Sequence, residues 1–264
     1  MSSPIQHTVL VDAEERRDRI AEELRRRGRV SVRRLAAAHG VTPETVRRDL
    51  IELEERGELR RVHGGAVALE RLRLEPAVAE RSAHMAAAKA AIARAAVAQF
   101  PGDGGTVLVD AGTTTGALLE VWPTDRRLTV VTNAVPHALA LAPIPTVTVI
   151  VIGGRLRART LANVDEIALE TLRNLRVEVA FVAANGVSER GCSTPDPAEA
   201  AVKRAMVGAA DRVVLLADST KFGQEHFVRF AALADLDVVV TDGAADDGDL
   251  LPVRLAGADV VVAP

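Results

Sequence analysis

Residues 42–57 read TPETVRRDLIELEERG, and the rest of the chain is organised outward from them. Val46, Leu50 and Leu53 recur at helical spacing and make one apolar face, which Ile51 widens. Thr42 serves as N-cap, Pro43 suits the first turn, and Gly57 closes the helix. The opposite face carries Glu44, Thr45, Arg47 and Arg48. Two adjacent arginines near a helix N-terminus suit a helix pushed end-first into a DNA major groove. There Arg bonds guanine edges in pairs, and Thr touches a phosphate or a thymine methyl. The ordinary alternative is a solvated amphipathic helix whose arginines are neutralised locally by Glu44, Asp49 and Glu52. Taken alone, the helix leaves both readings open.

Its flanks decide between them. Residues 12–27 (DAEERRDRIAEELRRR) predict a first helix with Asp12 as N-cap and Glu15 placed to reach back. Ser31 caps a short second helix, SVRRLAAAH, and Gly40-Val41 turns into the third. Helix, short helix, glycine turn and helix make a helix-turn-helix. After Gly57, ELRRVHGGAVAL gives two short strands about a Gly64-Gly65 turn. Such a hairpin is a wing that sets Arg60, Arg61 and His63 beside a phosphate backbone or a minor groove.

The runs GRVSVRRLAAAHGVTPETVRRDL and GELRRVHGG resemble the N-terminal domain of the DeoR family of bacterial transcriptional regulators. The resemblance implies that the T-x-R-R-D-L helix is the recognition helix and that R-x-H-G-G ends the domain. Ser31, Thr42, Glu44, Thr45, Arg47, Arg48, Arg60, Arg61, His63 and Gly64 are then the candidate DNA contacts. The module is expected over residues 12–68, followed by a linker over 69–84.

Charge is distributed to match. Residues 16–61 hold fourteen Arg against nine Asp and Glu, whereas the chain from Val62 onward holds nineteen basic and twenty-four acidic residues. A basic module on an acidic body confines DNA contact to one end. With no Tyr and one Trp, stacking on splayed single-stranded bases is not the expected mode. Cys192 is the only cysteine, which excludes an intrachain disulfide or a multi-cysteine metal site; it reads as an unremarkable loop residue. No cofactor is expected. The N-terminus lacks the pattern of a signal peptide, and VTVIVI is too short to cross a bilayer, so a cytoplasmic protein is expected.

Residues 85–264 predict an α/β domain. MAAAKAAIARAAVAQF reads as a helix ended by PGDGG. TVLVD, LTVVT, TVTVIVI, EVAFVAA, RVVLLAD, DVVVT and ADVVVA read as continuously apolar strands between helices, the pattern of a mostly parallel sheet covered on both faces. Ligands bind such sheets where strand C-termini meet their loops. Those ends carry DAGTTTG from Asp110 to Gly116, Thr132-Asn133, Gly153-Gly154-Arg155, Asn185-Gly186 and LADSTKFG with Asp218 and Lys221. Gly112 permits close backbone approach, and Thr113 to Thr115 offer hydroxyls and N–H groups to an anion at a helix start. A plain strand–helix turn with capping threonines is the alternative. Glu199 and Lys203 fall one helical turn apart, equally suited to a surface ion pair. A solvated side chain is the ordinary state of Lys203 and Lys221, although these are two of only three lysines in the chain.

The ordered set LVDAGTTT, VVTN, IGG, ANGVSERG, AAVKRAM and LADSTKFG resembles the C-terminal sensor domain of the DeoR family. That resemblance implies a fold like sugar-phosphate isomerases and coenzyme A transferases, and a phosphorylated sugar as effector. Carried over by position, the effector-binding candidates are Asp110, Gly112, Thr113, Thr114, Asn133, Gly153, Gly186, Lys203 and Lys221. The chain departs from the family at RTLANVDEIA, where many members have a glycine, so Asn163 and Asp165 are not carried over. NVDEIA, STPDPAEAAVKRAM and EHFVRFAAL resemble the fructose-regulon branch and imply fructose 1-phosphate.

The leading expectation is a repressor of sugar catabolic genes, at least dimeric, that binds double-stranded operator DNA and is released by a phosphorylated sugar. The alternative is a sugar-phosphate isomerase-like enzyme with an accessory DNA-binding module, for which Asp110, Glu199 and Asp218 are the available bases. A third possibility is an architectural DNA binder without a ligand; the polar strand ends argue against it.

Overall fold

The computed structural model describes residues 13–27, 29–62, 64–68 and 84–264. It divides into two compact units, 1–73 and 74–264, each described by itself. Asp12, His63, the Arg60 side chain and residues 69–83 of the expected linker lie outside the described residues.

In the smaller unit, α1 (Ala13–Arg27), α2 (Val32–His39) and α3 (Pro43–Glu55) pack around one core. Ser31 caps α2 by accepting the Arg34 N–H at 3.2 Å, and Thr42 caps α3 by accepting that of Thr45 at 3.2 Å. Each cap stabilises its helix by about 1 kcal/mol. Val46, Leu50 and Leu53 contribute more, about 1.5–3 kcal/mol apiece, because all three are buried against Ile20 and Leu24 of α1 and Leu35 of α2. Ile51 does not widen that face: it is 37% exposed. Asp49 takes the fourth inward position instead. It is buried and holds the buried Arg16 through Nε–Oδ2 at 2.6 Å and Nη2–Oδ1 at 3.1 Å, so α1 and α3 are joined by a bidentate pair.

The wing consists of β2 (Leu59–Val62) and β3 (Gly65–Ala68), antiparallel about Gly64 at φ +75°. A third strand not expected from the sequence, β1 (Arg29–Ser31), pairs antiparallel with β3. It explains the second glycine of the turn: a Cβ on Gly65 would stand 1.9 Å from the Val30 carbonyl oxygen.

The larger unit is built on seven parallel strands: β4 (Thr106–Val109), β5 (Leu128–Thr132), β6 (Val147–Val151), β9 (Val177–Ala183), β12 (Ala210–Leu216), β14 (Val238–Asp242) and β15 (Asp259–Ala263). Their spatial order is β15-β14-β12-β9-β4-β5-β6. On one face, α4 (Ala86–Ala96) and α6 (Val135–Leu141) cover Val107, Val109, Phe181 and Val214. Alanines let α4 approach closely, with Ala91, Ala93 and Ala96 buried beside Ile92. On the other face, α7 (Glu166–Arg173), α8 (Pro197–Gly208) and α9 (Asp247–Leu255) cover Leu108, Val182 and Leu215.

Two small antiparallel sheets were not legible in the sequence. β7 (Arg155–Arg157) pairs with β8 (Ala162–Val164), and β10 (Gly186–Ser188) pairs with β11 (Gly191–Thr194), which pairs with β13 (Val228–Ala231). Cys192 sits in β11, fully buried in the core rather than in a loop. Burial pushes its thiol up to about 12, so it is an inert core group.

The Arg16–Asp49 pair generates a stability prediction. Asp49→Ala leaves a buried guanidinium without its carboxylate and should destabilise the smaller unit by about 3–5 kcal/mol. Arg48→Ala, on the exposed face, should stay within about 0.5 kcal/mol of the wild type. Denaturant unfolding followed by circular dichroism compares the two; equal effects would refute the assignment.

Candidate functional site

In the smaller unit, the first half of α3 presents Glu44, Arg47 and Arg48 to solvent, with Thr45 half-buried. The Thr42 and Thr45 hydroxyls are hydrogen-bonded at 2.9 Å. Of the three carboxylates able to neutralise the arginines, only Glu44 does so, meeting Arg47 at 3.0 Å. Asp49 is committed to Arg16, and Glu52 to Arg17 and Arg56. An exposed pair such as Arg47–Glu44 is worth about 0–1 kcal/mol, which a phosphate or a base edge can displace. Arg48 has no hydrogen bond or ion pair among the described residues and is exposed. Arg61 differs: its N–H and Nε bond the Glu54 carboxylate at 2.8 and 2.6 Å, tying the wing to α3. Ser31 has spent its oxygen on the α2 cap, and Gly64 is exposed at the hairpin tip.

In the larger unit, the chain leaves β4 for β5 and β6 on one side, then returns to lay down β9, β12, β14 and β15 on the other. The β4/β9 boundary is therefore the switch point where a parallel sheet opens a crevice at its C-terminal edge. A cleft of about 40 Å³ lies there, lined by Gly112, Thr113 and Thr114 after β4, by Ala183, Ala184 and Asn185 after β9, and by His84, Lys89, Glu199, Lys203 and Lys221. At about 10–15 Å³ per water, it has room for a compact polar group. Lys89, Ala111, Gly112 and Thr113 also wall a larger cavity of about 520 Å³, to which Arg94, Glu120, His137 and Thr160 contribute.

The floor of the cleft is a buried ion pair. Asp110 is 1% exposed, and its Oδ2 accepts the Ala183 N–H at 3.0 Å and the ammonium of Lys203. Lys203, 5% exposed, also donates to the Ala183 carbonyl at 2.9 Å. It is neither solvated nor paired with Glu199. That carboxylate is buried too, held by the Thr160 hydroxyl and by Arg157 at 3.1 Å. Lys221 is partly buried, 4.0 Å from Asp218. Lys89 is 4% exposed and donates to the His84 carbonyl at 2.7 Å. All three lysines of the chain thus line one cleft.

Of the effector candidates, Gly112, Thr113, Thr114, Lys203 and Lys221 come together, with Asp110 beneath them. Asn133, Gly153 and Gly186 do not line the cleft. Asn133 accepts the Ala111 N–H at 3.1 Å and donates to the Asn163 carbonyl at 3.2 Å, bracing the loop from behind. A Cβ on Gly186 would meet the Gln224 carbonyl at 2.5 Å, so that glycine permits backbone packing. Gly153 meets only Ile167, at 3.5 Å from its would-be Cβ. The helix expected after DAGTTTG is a single turn, α5 (Thr113–Gly116), followed by a 3-10 segment over Ala117–Val121. Positive charge at the cleft therefore comes from the lysines rather than from a helix dipole. Lys89 and His84 are cleft residues that sequence reasoning missed, and Asn185, singled out as a polar strand end but not carried over as a candidate, joins them; the scarcity of lysine is the signal that finds Lys89. Among the described residues no group of three or more His, Cys, Asp or Glu can hold a metal ion. No helix of theirs is long and apolar enough to cross a membrane.

Comparison with known proteins adds to this geometry. Residues 16–71 match the DeoR-like helix-turn-helix domain, and residues 84–243 match the DeoR C terminal sensor domain. A protein described as the uncharacterized HTH-type transcriptional regulator FruR of Bacillus subtilis (strain 168) is 36% identical over 243 residues, covering 92% of each chain. The glycerol-3-phosphate regulon repressor of Escherichia coli (strain K12) is 31% identical over 229 residues, 86% of this chain and 90% of its own. Ribose 5-phosphate isomerase A from Neisseria gonorrhoeae superimposes over 54% of each chain at a TM-score of 0.37 and 16% identity.

His137, in the wall of the larger cavity, gives a pH prediction. Burial lowers its pKa from 6.5 to about 4, against the opposing pull of the Asp110 carboxylate. The unfolded chain binds that proton as pH falls through 6.5, and the folded chain does not until about 4. Stability is therefore lost as pH falls, by about 2 kcal/mol between pH 7 and pH 5 from this group alone. Urea unfolding at both pH values should show that much less loss in His137→Asn than in the wild type; an unchanged loss refutes the assignment.

Proposed function

The chain belongs to the DeoR family of HTH-type transcriptional regulators, not to an enzyme family, and on that premise we propose that it represses sugar catabolic genes and leaves its operator when a phosphorylated sugar binds. The observation that carries the effector reading is the convergence of every lysine in the chain on the switch-point cleft. Thirty other basic residues are arginine. Lys89, Lys203 and Lys221 with the Thr113 and Thr114 hydroxyls suit a phosphate, and the adjoining 520 Å³ cavity suits its sugar. Asp110 acts through Lys203, while Asn133, Gly153 and Gly186 shape the surrounding loops. The name of one relative refers to glycerol 3-phosphate, a phosphorylated three-carbon polyol. NVDEIA and EHFVRFAAL favour fructose 1-phosphate.

On DNA, Arg47 and Arg48 with Thr45 read base edges, Glu44 orients Arg47 beside them, and Ser31, Thr42, Arg60, Arg61, His63 and Gly64 serve the phosphate backbone. The protein acts in the cytoplasm as a dimer or larger assembly, because two half-sites match a two-fold protein. The isomerase alternative loses two of its three candidate bases: Asp110 is held by Lys203 and Glu199 by Arg157 and Thr160, while Asp218 is fully buried, bonded by Thr220 through one oxygen and 4.0 Å from Lys221.

Two outcomes follow. Arg48→Ala weakens operator binding by about 1–3 kcal/mol per protomer without changing the circular dichroism spectrum. Full affinity in the double Arg47→Ala, Arg48→Ala variant, measured by gel shift, would falsify the recognition helix.

Calorimetry on the full chain should show heat with fructose 1-phosphate and far less with fructose. A hundredfold fall in operator affinity requires about 2.7 kcal/mol of coupling. Thr113→Ala with Lys221→Ala should abolish the response and leave ligand-free DNA binding intact. No heat with any sugar phosphate sinks the effector reading and leaves the DNA-binding one.

A further inference from the structure

We infer that Lys89 couples the cleft to the backbone leading back to the DNA-binding unit: an anion in the cleft and the His84 carbonyl compete for its ammonium. The inference rests on the effector reading above. Lys89 stands on the second turn of α4, buried among alanines, and its Nζ folds back to the carbonyl of the residue two before the helix starts. That start carries backbone strain. No side chain caps it, and its N-cap residue, Met85, holds a left-handed conformation at φ +56°. A non-glycine residue there costs on the order of 1–2 kcal/mol and persists only where neighbours hold it. Two bonds do so, Lys89 Nζ to the His84 carbonyl at 2.7 Å and the Lys89 N–H to the Met85 carbonyl at 3.0 Å. One residue therefore secures the turn through both its side chain and its backbone.

His84 and Lys89 both line the cleft, so an anion bound there meets the same ammonium that bonds the carbonyl. A neutral carbonyl is the weaker acceptor: an anionic oxygen adds the attraction of a full opposite charge to the ammonium. Phosphate in the cleft draws Nζ away and loosens the left-handed turn at Met85. The other two lysines cannot pass a signal this way. Lys203 is fixed to Asp110 and Ala183 inside the sheet, and Lys221 faces Asp218 within its own loop. By linkage, whatever holds residues 84–85 in place on DNA also weakens the anion's grip.

The test uses the full-length protein. Hydrogen exchange over residues 85–90 is measured with saturating fructose 1-phosphate and, separately, with inorganic phosphate, which isolates the head group. Ligand burial alone slows exchange; release of the turn speeds it, and faster exchange is expected. Lys89→Gln keeps a neutral donor for the His84 carbonyl. It should bind fructose 1-phosphate more weakly in calorimetry and, once saturated, release operator by under about 10-fold where the wild type gives about 100-fold. Lys89→Arg, which restores the charge, should recover part of the response. Slower or unchanged exchange over 85–90 with ligand bound overturns the inference, as does full release in saturated Lys89→Gln; the effector reading survives both. Absence of any heat with the wild type removes the effector reading and this inference together. Should Lys89→Gln fold poorly, the wild-type exchange measurement decides by its sign.

Discussion

The larger unit depends on the buried contact between Asp110 and Lys203. Asp110 ends β4, takes the Ala183 N–H from the end of β9, and is met there by an ammonium from α8. Three elements far apart in sequence are thereby fixed at the one place where the strand order reverses. Burying two charges is a poor route to stability, since an apolar pair of equal volume does as well, whereas losing one partner costs about 3–5 kcal/mol. What the pair secures is geometry. It anchors the Ala111–Thr114 and Ala183–Asn185 loops that wall the cleft, with Lys203 itself in the lining.

The smaller unit uses charge in a comparable way. Within the run Arg47-Arg48-Asp49, adjacent residues point to opposite sides of α3. The arginines face solvent, and the aspartate clamps Arg16 of α1. A motif that reads as one polar block is two features back to back, an exposed pair of arginines and a buried clamp. The clamp holds the helix that presents the arginines.

What was legible in the sequence was whatever has a period. The heptad-like face of α3, the caps at Ser31 and Thr42, and seven runs of consecutive apolar residues each declare themselves within a dozen positions. Strands of three or four residues with mixed polarity, such as GCST in β11 and RLR in β7, carry no period and were invisible. Buried charge was equally hidden. Lys203 reads as a solvated lysine because its partner is 93 residues away, and Lys89, alone among the alanines of its helix, carries no pattern that points to a cleft. Ile51 misled for the opposite reason: its apolarity suggested a wider buried face than α3 has. Gly153 and Gly186 stand at strand ends, as ligand-contacting glycines do, yet their surroundings are a side chain and a neighbouring backbone.

The division between arginine and lysine has a chemical consequence. Guanidinium groups do not react with acylating or aldehyde reagents under conditions in which ammonium groups do, and arginine stays charged throughout. In this chain, every side-chain amine stands on one cleft. Acetylation of any lysine, whatever its source, therefore removes positive charge from the cleft and from nowhere else. Modification of one kind of functional group becomes modification of one place, with Lys221, the least buried of the three, the first to be reached.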